Sequence, residues 1–279
     1  MNLLIPGGAG YIGAMLVPKL LADGHRVTVI DTMWFGHGYL PKDNGNLTII
    51  KGDVRDHLFC GHDAVIWLAS ISNNAMYGIN YDLTHAVNTY VNRGNAPKFI
   101  YASSVAVADP TSDYAKDKLF CESVLAGTDA IIVRSASVCG YSIHQRLDLT
   151  VNMMTHHACR NGIVRVNGGD QMRSHVHIDD ICDFYRYLLS ADLKGTFTVV
   201  AENQAVKDTA RLVADTVGAT VITGPATDAR SYTVTPAMGD FKPKKTITDA
   251  VRDLEIRFDS GYWPDSQTNE QYQNINRGI

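Results

Sequence analysis

The sequence has no basic excess, no long apolar stretch and no paired cysteines, and each absence closes off a class of function. Its 25 lysines and arginines are outnumbered by 29 aspartates and glutamates, for a net charge of −4. Gripping DNA, RNA or an anionic membrane takes a concentrated basic face, so no nucleic acid or membrane partner is expected and any anionic ligand should be small. The opening residues MNLLIPGG lack a basic n-region, and their apolar run breaks at Pro6-Gly7-Gly8. Neither a signal peptide nor a membrane span is therefore expected, and the expected compartment is the cytoplasm. Five cysteines (Cys60, Cys121, Cys139, Cys159 and Cys182) are odd in number and never spaced Cys-x-x-Cys. That spacing argues for reduced core thiols rather than a disulfide framework or a zinc site, and no metal is expected. No fixed-period repeat or low-complexity tract is present, which sets aside solenoids and propellers.

What is present is an ordinary globular composition, 45% hydrophobic and 19% charged over 279 residues, enough for one sizeable α/β domain or a ligand domain with a smaller companion. Short apolar runs at 2–5, 27–30, 47–50, 64–69, 99–102 and 130–133 are bounded by Gly, Asp or Pro and read as buried parallel strands. Helical spacing over 11–22, 83–92 and 114–125 alternates with them. The pattern predicts a doubly wound parallel sheet covered on both faces, with right-handed crossovers. Beyond about residue 140 the pattern becomes mixed, with helices near 149–160 and 247–254 and a strand-to-helix passage at VHIDDICDFYRYLL. The expected division is a nucleotide domain over 1–140, interleaved with segments near 163–200, and a mainly substrate-binding lobe over 141–279.

The segment Gly7-Gly8-Ala9-Gly10-Tyr11-Ile12-Gly13 falls where the first strand hands over to the first helix. There the missing side chains allow a tight turn and bring backbone N–H groups and the positive helix end to a pyrophosphate. Asp31 ends the second run, 18 positions beyond Gly13, close to where a carboxylate accepts hydrogen bonds from the adenosine ribose. A carboxylate there repels a 2′-phosphate, so NAD is favoured over NADP, and the fold class expected is a Rossmann-type α/β fold with a smaller interleaved C-terminal substrate lobe. Tyr114 and Lys118 are four apart at the start of a helical segment and share one face. With Ser103-Ser104 at the end of the preceding strand, they fall at the carboxyl edge of the sheet, where ligands of such folds bind.

These features together resemble the extended short-chain dehydrogenases/reductases of the nucleotide-sugar epimerase/dehydratase group, from end to end of the chain. Gly7, Gly10 and Gly13 fit the glycine motif, GDVRD (Gly52–Asp56) the adenine-side loop, and YASS with Tyr114 and Lys118 the catalytic set. RLDLTVN (146–152), GGDQMRSHVHIDD (168–180) and DARSYTV (228–234) resemble its substrate-lobe motifs. The resemblance implies that NAD is held by Gly7, Gly10, Tyr11, Ile12, Gly13, Asp31, Asp53, Val54, Leu68, Ala69, Ser103, Tyr114 and Lys118. It implies a nucleotide-sugar substrate touching Ser104 and Ser137, with Asn152, Arg173 and Arg230 on its diphosphate, since guanidinium forks and amides suit phosphate oxygens.

The activity implied is epimerisation, at C4 of a UDP-hexose through a transient 4-keto intermediate. Tyr114 is the general base, its phenol acidified by Lys118 and the nicotinamide ring, and Ser104 bonds the reacting hydroxyl. A 4-keto-sugar reductase and a non-catalytic dinucleotide sensor are the alternatives. Dehydratases and decarboxylases of the group need acids beside the serine, and Val105-Ala106-Val107 offers none. The stretch from Asn88 to Phe99 is shorter than usual for the group, which puts its familiar helix-mediated homodimer in question. His175, His177 and Asp179 alternate as metal ligands can, but Asp179 or Asp180 is expected simply to cap the following helix. Trp34, Tyr77 and Tyr81 either line the pocket or pack.

Overall fold

The structure is a computed structural model, and it describes residues 1–36, 38–57, 60–72, 79–92, 97–226, 230–269 and 272. Tyr77 and the side chain of Tyr81 lie outside what is described. Seven strands build the main sheet: β1 (Asn2–Pro6), β2 (Arg26–Asp31), β3 (Leu47–Lys51), β4 (Ala64–Trp67), β5 (Lys98–Ser104), β6 (Ile131–Ser135) and, much later, β10 (Gly195–Val199). Their order is β10-β6-β5-β4-β1-β2-β3, and every pairing is parallel. Order reverses at β1, so a crevice opens beyond the carboxyl ends of β1 and β4, the place where such sheets bind ligands.

Central strands read as unbroken apolar runs because both faces are covered. In β1, Leu3 and Ile5 join α1 (Gly13–Ala22) and α5 (Ile178–Ser190) on one face, while Leu4 joins α2 (Ile79–Asn92) and α3 (Asp113–Leu125) on the other. All three side chains are fully buried. At roughly 25 cal/mol per Å² of apolar surface, each contributes on the order of 2 kcal/mol to holding the layers together.

Two small sheets complete the molecule. One is β11-β9-β7, with β7 (Ser137–Cys139) parallel and β11 (Glu202–Ala205) antiparallel to β9 (Met172–His177). The other pairs β8 (Ile163–Asn167) with β12 (Thr220–Gly224). Helices α4 (Thr150–Asn161), α6 (Val206–Val217) and α7 (Ile247–Asp259) enclose a separate apolar cluster with β8, including Met154, Val164, Val213 and Val251. The sequence reading did not pick out β10 or α6. β10 (GTFTV) mixes threonine with its apolar residues at the sheet edge, which blurs its pattern, whereas α6 is strongly amphipathic, with Ala210, Val213 and Ala214 on its buried face.

The cap of α5 also differs from expectation. His177, not Asp179 or Asp180, is the N-cap, its Nδ1 accepting from the Asp179 N–H at 3.1 Å. The helix starts two or three residues earlier than a cap at Asp179 or Asp180 would place it, which frees both carboxylates for other work. Asp180 accepts from the Lys244 and Lys245 N–H groups at 2.9 Å each, and Asp179 pairs with Lys19 and Lys245. Among the described residues no helix is long and apolar enough to cross a membrane.

Candidate active site

The turn between β1 and α1 owes its shape to glycines that tolerate no side chain. Gly7 has φ +76°, and a β-carbon there would lie 2.5 Å from the Ala69 nitrogen, so the loop presses against the end of β4. Just beyond β4, Leu68 N–H donates to the Pro6 carbonyl at 2.9 Å, holding the end of β4 to the turn. At Gly13 a β-carbon would meet the Gly8 carbonyl oxygen at 2.3 Å. Gly10 is different. Its β-carbon would approach only the Gly7 carbonyl, at 3.4 Å, so protein packing does not demand glycine, and the space a methyl would fill lies open above the loop. The adjoining end of α1 has no side-chain cap and no acidic residue in its first turn. An uncapped, electropositive helix end behind an open glycine suits a pyrophosphate.

Asp31, at the end of β2, joins this loop to the adenosine side. Its Oδ2 accepts from Ala9 N–H at 3.0 Å and its Oδ1 from Met33 N–H at 2.8 Å. Burial raises its pKa, against the pull of those two bonds. A carboxylate has about four lone-pair positions, so two remain for ribose hydroxyls. Gly52 N–H donates to the Asp31 carbonyl at 3.0 Å, bringing Asp53 and Val54 alongside. The Asp53 carboxylate itself is engaged by Arg55 at 2.6 Å and caps the short turn 54–56, while Val54 is buried.

Ser104 ends β5, and Tyr114 and Lys118 lie on the first turns of α3, whose start is fixed by Ser112 accepting from the Ala115 N–H at 3.2 Å. The structure brings these three together: the Ser104 hydroxyl is close enough to the Tyr114 phenol to lower its pKa, and the Lys118 ammonium lies 5.8 Å from the centre of the Tyr114 ring. Lys118 Nζ donates to the Ala102 carbonyl at 2.6 Å. Burial pushes the Tyr114 phenol above its ordinary pKa, against the nearby Ser104 hydroxyl and the positive charge of Arg146. The charge acting on the phenol here is thus that of Arg146, a residue the sequence placed in a motif without a role. It reaches the site from the loop between β7 and α4, where Asp148 holds its guanidinium through two bonds and Ser72 through a third.

Lys118 is 4% exposed, and burial lowers its pKa to about 8 despite Cys121, Glu122 and Asp117 nearby. A lysine depressed in the folded state and ordinary in the unfolded chain costs stability while charged. That cost is full below pH 8 and shrinks as pH rises toward 10.5. Lys118→Met is therefore expected to raise the unfolding temperature of the ligand-free protein at pH 7, with the gain fading between pH 8 and 10.5. Thermal melts across that range test it, and a difference independent of pH would refute the assignment.

Ser103, expected beside the cofactor, turns its hydroxyl elsewhere. It donates to Glu122 at 2.5 Å, and Glu122 in turn takes the Arg134 guanidinium at 2.5 and 3.0 Å. This pair ties α3 to β6 and so fixes the helix that carries Tyr114. Arg134→Met leaves a buried carboxylate with one hydroxyl for company. The expected loss is about 2–3 kcal/mol, at the low end for a broken buried pair because the arginine is partly exposed. Chemical denaturation measures it, and a loss under ~0.5 kcal/mol, the scale of a surface substitution, would show the pair to be incidental.

The substrate-lobe residues separate into two groups. Arg173 and Arg230 meet: an Arg173 Nη1 N–H donates to the Arg230 carbonyl, and its guanidinium lies 5.7 Å from the centre of the Tyr232 ring. Asn152 is not with them. It is fully buried, its Oδ1 accepting from Gly140 N–H at 2.9 Å and its Nδ2 donating to the Tyr11 hydroxyl at 3.0 Å and the Arg146 carbonyl at 2.9 Å. Both amide N–H donors are engaged within the protein, and the amide fastens the Arg146 loop to the glycine turn. Tyr11 completes the lock, donating its hydroxyl to the Gly140 carbonyl at 2.7 Å. Ser137 pairs in register with His175 in the small mixed sheet. Trp34 is half-buried.

Fold and site together define a Rossmann-type protein of the extended short-chain dehydrogenase/reductase class. Residues 3–201 match the NAD dependent epimerase/dehydratase family, and the chain belongs to that family; its cofactor is NAD. A UDP-glucuronic acid decarboxylase 1 from Danio rerio is 35% identical over 98 residues, 32% of this chain and 22% of its own length. The chain thus spans about a fifth of the length of that curated relative. Among solved structures, the UDP-glucuronic acid 4-epimerase of Bacillus cereus, in complex with UDP-glucuronic acid and NAD, superposes with a TM-score of 0.80 at 19% identity, covering 93% of this chain and 99% of its own. The dTDP-glucose 4,6-dehydratase DesIV of Streptomyces venezuelae gives 0.81 at 21% identity, covering 94% and 98%.

Proposed function

We propose that this chain is an epimerase of a nucleotide-sugar, acting at C4 of a UDP-hexose through a transient 4-keto-sugar. The observation that carries the reading is the joining of Ser104, Tyr114 and Lys118 in a segment whose next residues, Val105 and Val107, are buried and apolar. A set able to move one proton, without added acids, suits reversible oxidation of a hydroxyl better than dehydration or decarboxylation. NAD, when bound, supplies two-electron redox chemistry at the sugar carbon. Tyr114 takes the proton of the C4 hydroxyl and later returns it. Ser104 holds the reacting oxygen, and Lys118 keeps positive charge beneath the pair. Arg173 and Arg230, which already share one corner of the lobe, hold the diphosphate.

Incubation of the protein and NAD with a panel of UDP-, GDP-, CDP- and dTDP-sugars, followed by NMR, tests the proposal. The expected product is a C4 epimer formed without net change in NAD. Release of carbon dioxide or formation of a 4-keto-6-deoxy sugar would replace the epimerase reading with a decarboxylase or dehydratase. Stoichiometric consumption of NADH would make the protein a reductase. No turnover with NAD bound would make it a sensor.

A further inference from the structure

We infer that His144 is a positioning residue of the cofactor site, its ring joining the glycine turn, the segment after β2 and the loop that carries Arg146 into one unit that sets the affinity for NAD. His144 is 5% exposed and sits four residues after Gly140, where Tyr11 and Asn152 have fastened the loop. Its Nδ1 lies 2.6 Å from the Ala9 carbonyl oxygen. A carbonyl only accepts, so Nδ1 carries the proton and donates. The ring lies flat on Tyr39, centroids 4.3 Å apart and planes 15° from parallel. Next to it, the Ser142 hydroxyl donates to the Tyr11 carbonyl at 2.8 Å.

Ala9 is thereby held at both ends, its N–H by Asp31 and its carbonyl by His144. A peptide unit is planar, so fixing the Ala9 carbonyl also fixes the Gly10 N–H in the same plane, which donates to the Gly7 carbonyl at 3.2 Å and closes the turn. That plane borders the open face at Gly10. The Asp31 carboxylate, bonded to Ala9, takes its orientation from the same residue, and Tyr39 lies on the segment that follows Asp31. One imidazole therefore reaches the pyrophosphate turn and the adenosine side together. Burial holds the ring below its ordinary pKa, outweighing the backbone of Ala9 and the charge of Asp31, with Arg146 acting in the same direction as burial. The neutral ring keeps one N–H, and the Ala9 carbonyl has it.

The inference rests on NAD as the ligand of the glycine turn and is independent of the sugar. Titration calorimetry with NAD and with ADP-ribose, on the parent and on three variants, tests it. His144→Asn places an amide N–H where Nδ1 stood and is expected to bind within about threefold of the parent. His144→Gln moves the amide past Ala9, and His144→Leu removes the donor; each should weaken both ligands by roughly tenfold, the scale of one hydrogen bond. Asn and Gln are alike in polarity and in cost to folding, so their contrast holds even if the leucine variant does not fold. Equal affinity of the Asn and Gln variants, at the parent's level or well below it, would overturn the inference. A parent that binds neither ligand would overturn the cofactor assignment instead.

Discussion

Tyr114→Phe is expected to lower turnover by roughly 10²–10⁴-fold while NAD affinity stays near that of the parent. The phenyl ring keeps the packing of the first turn of α3, and the substitution removes only the hydroxyl near Ser104. Burial raises the phenol in the ligand-free protein, so the base is protonated at neutral pH until substrate and cofactor arrive. A base must be deprotonated to act, so kcat/KM of the parent should climb with pH through the neutral range. The limb should shift further to alkaline pH when Arg146, which pulls the phenol down, is replaced by methionine. Rates and NAD titrations of the two variants, measured across pH, check this. A phenylalanine variant within tenfold of the parent would remove Tyr114 from the chemistry.

The second large effect separates two glycines that look alike in the sequence. Gly10→Ala is expected to leave the unfolding temperature almost unchanged and to weaken NAD binding by more than roughly 100-fold, because the added methyl occupies space that only a ligand needs. Gly13→Ala forces a methyl against the Gly8 backbone at 2.3 Å. Backbone on both sides cannot retreat as a side-chain tip can, so a cost of about 1–3 kcal/mol in stability should accompany the loss of binding. Paired melts and NAD titrations distinguish the two. If Gly10→Ala bound NAD as the parent does, the open face of the turn would not be the pyrophosphate site.

The sequence marked the glycine turn, Asp31, Ser104, Tyr114 and Lys118 because each belongs to a short segment whose meaning is local: a strand end, a helix start, an i,i+4 pair. It did not mark Arg146 as the charge acting on Tyr114, nor His144 on Ala9, a contact spanning 135 positions. The partners of Asn152 are a further case. Its amide is spent on Tyr11, 141 positions away, and no spacing rule carries that information. His177 took the cap from its acidic neighbours because helix ends depend on where the preceding strand lets go.

Hydrophobic periodicity and glycine placement, both read within a few residues, were enough to determine an α/β chain with a parallel sheet and a dinucleotide turn. Only the folded molecule decided which polar groups remain for a ligand, because a buried donor or acceptor is claimed by whatever partner packing brings to it. In this protein those partners, His144, Arg146 and Asn152, arrive from the loop after β7 and the first turn of α4.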